Sequence, residues 1–173
     1  MNNIVLVNIL RFTGLILLQI LVFRQMNYGP FMGAYFRIFM YPLFLLLLPF
    51  RLSSEFLMLI GFGTGLVVDM AYDTLGIHAS TAVALMAVRA IILNQIKPKG
   101  GYALNKGLTP DSYGWSWFAR YIFFAFIVFS VWLSLLEVFN IVQIGQVLIR
   151  AIMIIPASLF FIFISVQVLN PRN

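Results

Sequence analysis

The sequence lacks cysteine, has a single histidine and contains few charged residues, with Asp, Glu, Lys and Arg making up 9% of its 173 residues. Without cysteine there is no disulfide framework, no thiolate metal site and no cysteine nucleophile. A soluble domain carries about a quarter charged residues, whereas this chain is 62% hydrophobic. These proportions predict an integral membrane protein, and the short stretches between its apolar runs leave no room for a soluble catalytic domain.

The charge balance is basic, with a formal net charge of +6 that comes from 11 Lys and Arg residues. These residues are spread along the chain and do not form the basic cluster that a nucleic-acid-binding surface needs. In a membrane protein, basic residues between apolar runs indicate which loops face the cytoplasm. We therefore expect a lipid bilayer around the protein and no nucleic-acid partner.

Apolar runs of about 20 residues predict transmembrane helices. We expect an all-α membrane protein, one integral membrane domain over residues 1–173, with six transmembrane helices in a compact bundle. The first run has no cleavage site after it and is interpreted as a retained helix. The second run contains Pro42 and ends at Pro49, so we expect it to be short, kinked or partly re-entrant. The predicted spans are residues 4–23, 36–50, 55–72, 77–96, 118–138 and 147–169.

The distribution of basic residues predicts that both termini are cytoplasmic. With that orientation six basic residues lie in cytoplasmic segments and only Arg24 and Arg37 lie outside. The one long loop, residues 97–117, is then cytoplasmic, and its aromatic residues are expected to form an interfacial belt. The cytoplasmic basic residues are Arg51, Lys97, Lys99, Lys106, Arg120 and Arg172. The belt residues are Tyr113, Trp115, Trp117 and Tyr121.

Residues 61–80, GFGTGLVVDMAYDTLGIHAS, combine glycines, two acids and the histidine. The glycines are spaced G-x-G-x-G, whereas a dinucleotide site needs G-x-G-x-x-G between a strand and a helix. Gly61 and Gly65 instead form a small-xxx-small pair, which lets another helix approach closely in a membrane. Asp69 and Asp73 continue the same four-residue spacing, so we expect all four residues on one helix face.

The two acids lie toward the outer end of the third predicted span, where an ionisable group marks a functional site or a buried pairing. An aspartyl dyad is disfavoured, because no other acid/base groups accompany the pair. The Gly76 turn allows Asp69, Asp73 and His78 to converge, which leaves two interpretations of the histidine. One is a metal ligand, and the favoured one is a hydrogen bond at the start of the fourth span.

Other charged and polar side chains inside the spans also need partners. Arg150 is predicted to pair with Glu137, Asp69 or Asp73, which lie at the same level. Arg89 is expected to extend toward the cytoplasmic surface as a depth anchor. One face of the first span, which we expect inside the bundle or against a partner helix, carries Asn8, Arg11, Gly14 and Gln19.

Two short motifs resemble those of the rod shape-determining protein MreD family. Gly65 and Asp69 match a G-L-x-x-D segment at the end of a central helix. Leu75, Gly76, His78 and Ala79 match the following L-G-x-H-A turn. Chain length, six predicted spans and the short proline-flanked second span also resemble the family. The chain departs from the family at Asp73 and Thr74, where the family often has a small residue and a proline.

The resemblance implies a non-enzymatic scaffold in the bacterial inner membrane, without cofactor or metal, that takes part in cell elongation. It implies the single-span protein MreC as direct partner. Indirect partners would be the actin-like MreB, the glycosyltransferase RodA and the elongation-specific transpeptidase. The family is similar in fold to the substrate-binding components of energy-coupling-factor vitamin transporters. That similarity supplies the alternative function, a small-molecule-binding transporter component in which Asp69 and His78 contact the ligand.

Overall fold

The computed structural model describes residues 2–28, 37–103, 107–138 and 143–169, and Lys106 and Arg172 lie outside these ranges. All regular secondary structure in the described part is helical. The first helix, α1, runs without interruption through Asn2–Leu18, a π-helical turn Gln19–Phe23 and Arg24–Tyr28. The other helices are α2, Pro42–Leu47; α3, Ser54–Tyr72; α4, Ile77–Gln95; α5, Pro110–Tyr113; α6, Trp115–Val138; and α7, Ile144–Leu169.

Five of these helices, α1, α3, α4, α6 and α7, are long and apolar enough to cross a membrane. The chain is therefore a multi-pass membrane protein by length and composition. Helices α3 and α4 form one antiparallel hairpin, α6 and α7 form another, and α4 packs against α6. Ser53 caps the start of α3, because its hydroxyl oxygen accepts a hydrogen bond from the Phe56 amide.

Residues 37–50, here called the central segment, differ from the transmembrane helix expected over residues 36–50. Residues 37–40 have no regular structure, and only Pro42–Leu47 are helical. Pro42 begins this helix, where its missing amide hydrogen costs nothing. The helix stops before Pro49, since proline disfavours helical backbone at the preceding residue. All residues from 38 to 48 are nevertheless buried, so the central segment lies inside the bundle.

The central segment runs alongside α4 for most of its length. Near its start, the Tyr41 hydroxyl lies 3.3 Å from the His78 ring, in the first turn of α4. At its end, the Phe50 ring stacks on Tyr102 with centroids 5.1 Å apart, and the Tyr102 hydroxyl donates to the Leu93 carbonyl. Because residues 78 and 93 are about 22 Å apart along a helix, these contacts place the central segment beside most of the length of α4.

The bundle has two distinct ends. The turn end contains the α3–α4 turn, residues 73–76, and the loop end contains the described residues 96–103 and 107–114. The predicted aromatic belt at the loop end is wrong for two members, because Trp117 is 4% exposed and Tyr121 is fully buried. Their polar atoms bond to backbone carbonyls of Ile96 and Leu46 inside the protein. Trp115, 48% exposed, remains at the surface.

Candidate structural site around the central segment

The α3–α4 hairpin closes around the glycine stripe. A Cβ atom on Gly65 would lie 2.3 Å from the Ala79 Cα atom and 2.6 Å from the His78 carbonyl oxygen. A Cβ atom on Gly61 would lie 3.1 Å from the Ala82 carbonyl oxygen. The helix that approaches these glycines is therefore α4 of the same chain, and the backbones are closest at Gly65.

Asp69 is buried beside this contact, with 3% of its surface exposed. Its two carboxylate oxygens accept hydrogen bonds from the backbone amides of His78 and Ala79, at 3.0 and 2.9 Å. The Thr74 hydroxyl donates to the same carboxylate. The first amides of a helix have no partners within the helix and carry its positive dipole end. Asp69 therefore supplies acceptors and negative charge to the start of α4 from the preceding helix.

The turn between these helices has two residues with left-handed backbone. Gly76 has φ of 79° and directly precedes α4, while a Cβ on it would meet open space. Its requirement for glycine is thus conformational and not a matter of packing. Asp73 has φ of 55°, ends α3, and its side chain is 86% exposed. It pairs with Arg24 of α1 at 3.3 Å, so the two acids of the motif have different surroundings.

His78 is buried to 2% exposure within three aromatic rings. The ring centroids of Phe39, Tyr41 and Tyr72 lie 5.3–5.8 Å from that of the imidazole. Its Nδ1 atom is 3.3 Å from the Tyr41 hydroxyl. Among the residues that the structure describes, no three His, Asp or Glu side chains are grouped as metal ligands would be. The described environment of His78 is aromatic packing with one hydrogen bond.

The turn-end portion of the central segment is held by Gln19 and Ser158. The Gln19 side-chain amide donates to the Ile38 carbonyl at 3.2 Å, and its oxygen accepts from the Met40 amide at 2.6 Å. The Ser158 hydroxyl oxygen accepts from the Phe39 amide at 2.9 Å. Non-helical backbone at membrane depth is tolerated where protein groups satisfy it. Two side chains, from α1 and α7, do so here.

The loop-end portion is held by Arg89 and Tyr121. The Arg89 guanidinium donates to the Leu48 carbonyl and, at 3.1 Å, to the Tyr121 hydroxyl. The Tyr121 hydroxyl in turn donates to the Leu46 carbonyl at 3.1 Å. These carbonyls lie at the end of α2, where helix carbonyls lack internal partners and carry negative partial charge. The expectation that Arg89 extends to the surface is wrong, because the residue is 2% exposed.

At the turn end, Glu137 binds two arginines. Arg37, the first described residue of the central segment, contacts one carboxylate oxygen, and Arg150 of α7 lies 3.3 Å from the other. The three side chains are only 12–21% exposed. Of the three acids that the sequence leaves open for Arg150, the structure pairs it with Glu137. This triad joins the central segment to the α6–α7 hairpin.

The polar face expected on the first span is divided. Gln19 is buried, Asn8 and Arg11 are partly buried, and Gly14 is exposed with open space around it. Gln19 was visible in the sequence as a polar residue in an apolar run. For Ser158 and Tyr41 only the position inside an apolar run indicates a buried partner, whereas Tyr121 is expected in the interfacial belt and instead bonds to the central segment.

No family model matches the chain, and neither a curated protein nor a solved structure is significantly similar to it.

Proposed function

We propose that the protein is a non-enzymatic membrane scaffold of the bacterial cell-elongation machinery, similar in role to the MreD family. It resides in the inner membrane, with both termini in the cytoplasm. The central segment makes a sixth crossing, as in the six-helix bundle of energy-coupling-factor substrate-binding components. Its direct partner is the single-span protein MreC, which connects it with MreB, RodA and the elongation-specific transpeptidase.

The observation that supports this proposal is the structural use of the buried polar groups. Asp69, Gln19 and Arg89 each bond to backbone groups that would otherwise lie unpaired in the bundle. Three residues of the G-L-x-x-D and L-G-x-H-A motifs therefore have structural roles. Gly65 permits the helix contact, Asp69 caps α4, and Gly76 makes the turn. A scaffold needs such a rigid interior, and its binding chemistry lies on apolar outer faces.

The transporter alternative receives less support from the same region. A ligand at Asp69 and His78 would need the space that Phe39, Tyr41 and Tyr72 fill. The Asp69 carboxylate already accepts three hydrogen bonds. A groove of about 400 Å³ does exist, but it is lined by other residues, among them Phe62, Ser80 and Trp132 on the outer surface.

Affinity purification from native membranes in mild detergent tests the proposal. We expect a single-span protein and wall-synthesis enzymes to copurify with the tagged chain. We also expect cells depleted of the protein to lose their rod shape. A matched variant, Gly65→Leu, should lose the partner together with the α3–α4 contact, whereas Gly63→Leu should keep it. Copurification of an ATPase module and a bound vitamin would overturn the scaffold and favour the transporter component.

A further inference from the structure

The cations at the two ends of the bundle differ in their ion pairing. At the turn end, Arg24 lies within 3.3 Å of Asp73, and both Arg37 and Arg150 contact Glu137. Among the residues that the structure describes, the loop end carries four exposed cations, and none of the described carboxylates lies within 4.0 Å of any of them. We call this set the basic surface, and it consists of Arg51, Lys97, Lys99 and Arg120.

The backbone that carries the basic surface is fixed. Lys99 lies in a tight turn that the Gly101 amide closes by donating to the Pro98 carbonyl at 2.9 Å. The turn is followed by Tyr102, whose hydroxyl donates to the Leu93 carbonyl at 2.8 Å. Burial raises the pKa of this hydroxyl above its usual value, so the donor keeps its proton. The loop is thereby tied to the end of α4.

A second pair of contacts ties residues 96 and 103 of the loop to α6 and α5. The Trp117 indole donates to the Ile96 carbonyl at 3.0 Å, and the Ala103 amide donates to the Tyr113 hydroxyl at 3.0 Å. The Tyr113 and Trp117 rings lie 4.8 Å apart. Because these contacts order residues 96–103 in advance, a ligand of the basic surface loses little loop entropy on binding.

The basic surface lies near the ends of helices that are long and apolar enough to cross a membrane. Arg51 precedes α3 and Lys97 follows α4, so both are at helix ends. Arg120 is in the second turn of α6, and its Nε atom donates to the Ser116 carbonyl at 3.2 Å. Its guanidinium is thus drawn back one turn toward Trp115, an exposed tryptophan of the type that marks the bilayer interface.

We propose that the basic surface binds the headgroups of anionic phospholipids in the bilayer around the protein. Among the described residues at this end, the four exposed cations outnumber the two exposed acids, Glu55 and Asp111, so the local net charge favours an anionic ligand. Cations at the membrane surface attract anionic lipids, and this attraction falls off within a Debye length. The proposal concerns lipid phosphate and does not depend on the scaffold function.

Competition between brominated lipids tests this proposal. Trp115 lies beside the basic surface, and bromine on a bound acyl chain quenches its fluorescence. In a Trp132→Phe background, which removes the other well-exposed indole, quenching by brominated phosphatidylglycerol is compared with quenching by brominated phosphatidylcholine. We expect phosphatidylglycerol to bind about fivefold more tightly or better in low salt. In 1 M salt, where the Debye length is about 3 Å, the preference should approach one.

Two variants locate the effect. The charge-removing variant Lys97→Gln/Lys99→Gln/Arg120→Gln should abolish the preference for phosphatidylglycerol. The charge-conserving variant Lys97→Arg/Lys99→Arg should retain it. A wild-type preference near one would overturn the proposal. A preference that persists in the glutamine variant, or that is equal at both salt concentrations, would overturn it as well.

Discussion

The α3–α4 hairpin and the central segment lie side by side, but the hydrogen bonds of their backbones are satisfied in different ways. Both carry backbone amides and carbonyls into a region without water, where an unpaired group costs several kcal/mol. The hairpin satisfies its backbone within its own helices and needs only small residues to close the contact at Gly65. The central segment has a helix of six residues and depends on other elements for the rest.

This difference explains why polar residues occur in otherwise apolar spans. Gln19, Ser158 and Tyr121 come from three helices, and each bonds to a backbone group of the central segment. Arg89, from a fourth helix, bonds to the Leu48 carbonyl. Asp69 has the corresponding task for the start of α4. Each of these five side chains therefore lies where helical backbone is interrupted.

The largest expected effect comes from breaking the hairpin contact with Gly65→Ala. The added Cβ atom meets backbone atoms of Ala79, which cannot rotate away, so we expect a loss of about 3 kcal/mol of unfolding free energy. Gly61→Ala should cost less, because its neighbours are 3.1 Å away and include the flexible Met86 side chain. Reversible unfolding in mixed micelles measures both.

Gly63→Ala is the matched control for these variants. Its Cβ atom meets nothing within 4 Å, and alanine is the better helix former, so stability should not fall. Equal losses at positions 61, 63 and 65 would show that the hairpin is not closed by glycine contacts.

A comparable effect is expected from Asp69→Ala. The change leaves the His78 amide, the Ala79 amide and the Thr74 hydroxyl without their acceptor, and each unpaired buried donor costs about 1–3 kcal/mol. We expect a loss of about 3 kcal/mol in the same unfolding measurement, and a smaller loss for Asp69→Asn, which keeps one acceptor oxygen.

Asp73→Asn provides the comparison for Asp69→Asn, because asparagine removes the charge of Asp73 and still tolerates its left-handed backbone. The Asp73 side chain is 86% exposed, and exposed ion pairs contribute about 0–1 kcal/mol. If the two asparagine variants lost equal stability, Asp69 would not be the cap of α4.

Gln19→Leu is expected to loosen the central segment while the hairpin stays intact. The substitution removes the partners of the Met40 amide and the Ile38 carbonyl, which should cost about 2 kcal/mol. Hydrogen exchange should show faster exchange of the amides of residues 38–40, with little change in α3 and α4. The exposed Gln25 on the same helix is the control, and Gln25→Leu should leave exchange unchanged. Uniformly faster exchange across the bundle after Gln19→Leu would contradict the local role.

The sequence is sufficient to predict the membrane class and the long helices, because hydropathy over about 20 residues is a strong signal. The small-xxx-small spacing of Gly61 and Gly65 also predicts close helix packing, although it does not indicate which helix approaches. The sequence does not predict the form of the central segment, because apolar leucines suit a buried helix and a buried irregular segment equally well. Only the two prolines indicate that its helix is short.

The role of Arg89 was not predictable for a related reason. An arginine near the end of a span can extend to the surface or bond inside the bundle, and composition does not distinguish these cases. The deciding factor is the C-terminal end of α2, where the Leu48 carbonyl accepts a hydrogen bond from Arg89 in the folded bundle. The same holds for Trp117 and Tyr121, which have the composition of an interfacial belt but bond to interior carbonyls.

The smallest expected effect is the coupling free energy between Glu137 and Arg150 at the turn end. Glu137→Gln should destabilise the protein more than Arg150→Gln, because the glutamate contacts Arg37 as well. The double variant should lose about 1 kcal/mol less than the sum of the single losses, as is typical of interacting neighbours. The exposed pair Arg24 and Asp73 should show almost no coupling in the same cycle. Additive losses for Glu137 and Arg150 would mean that their contact does not link α6 to α7 energetically.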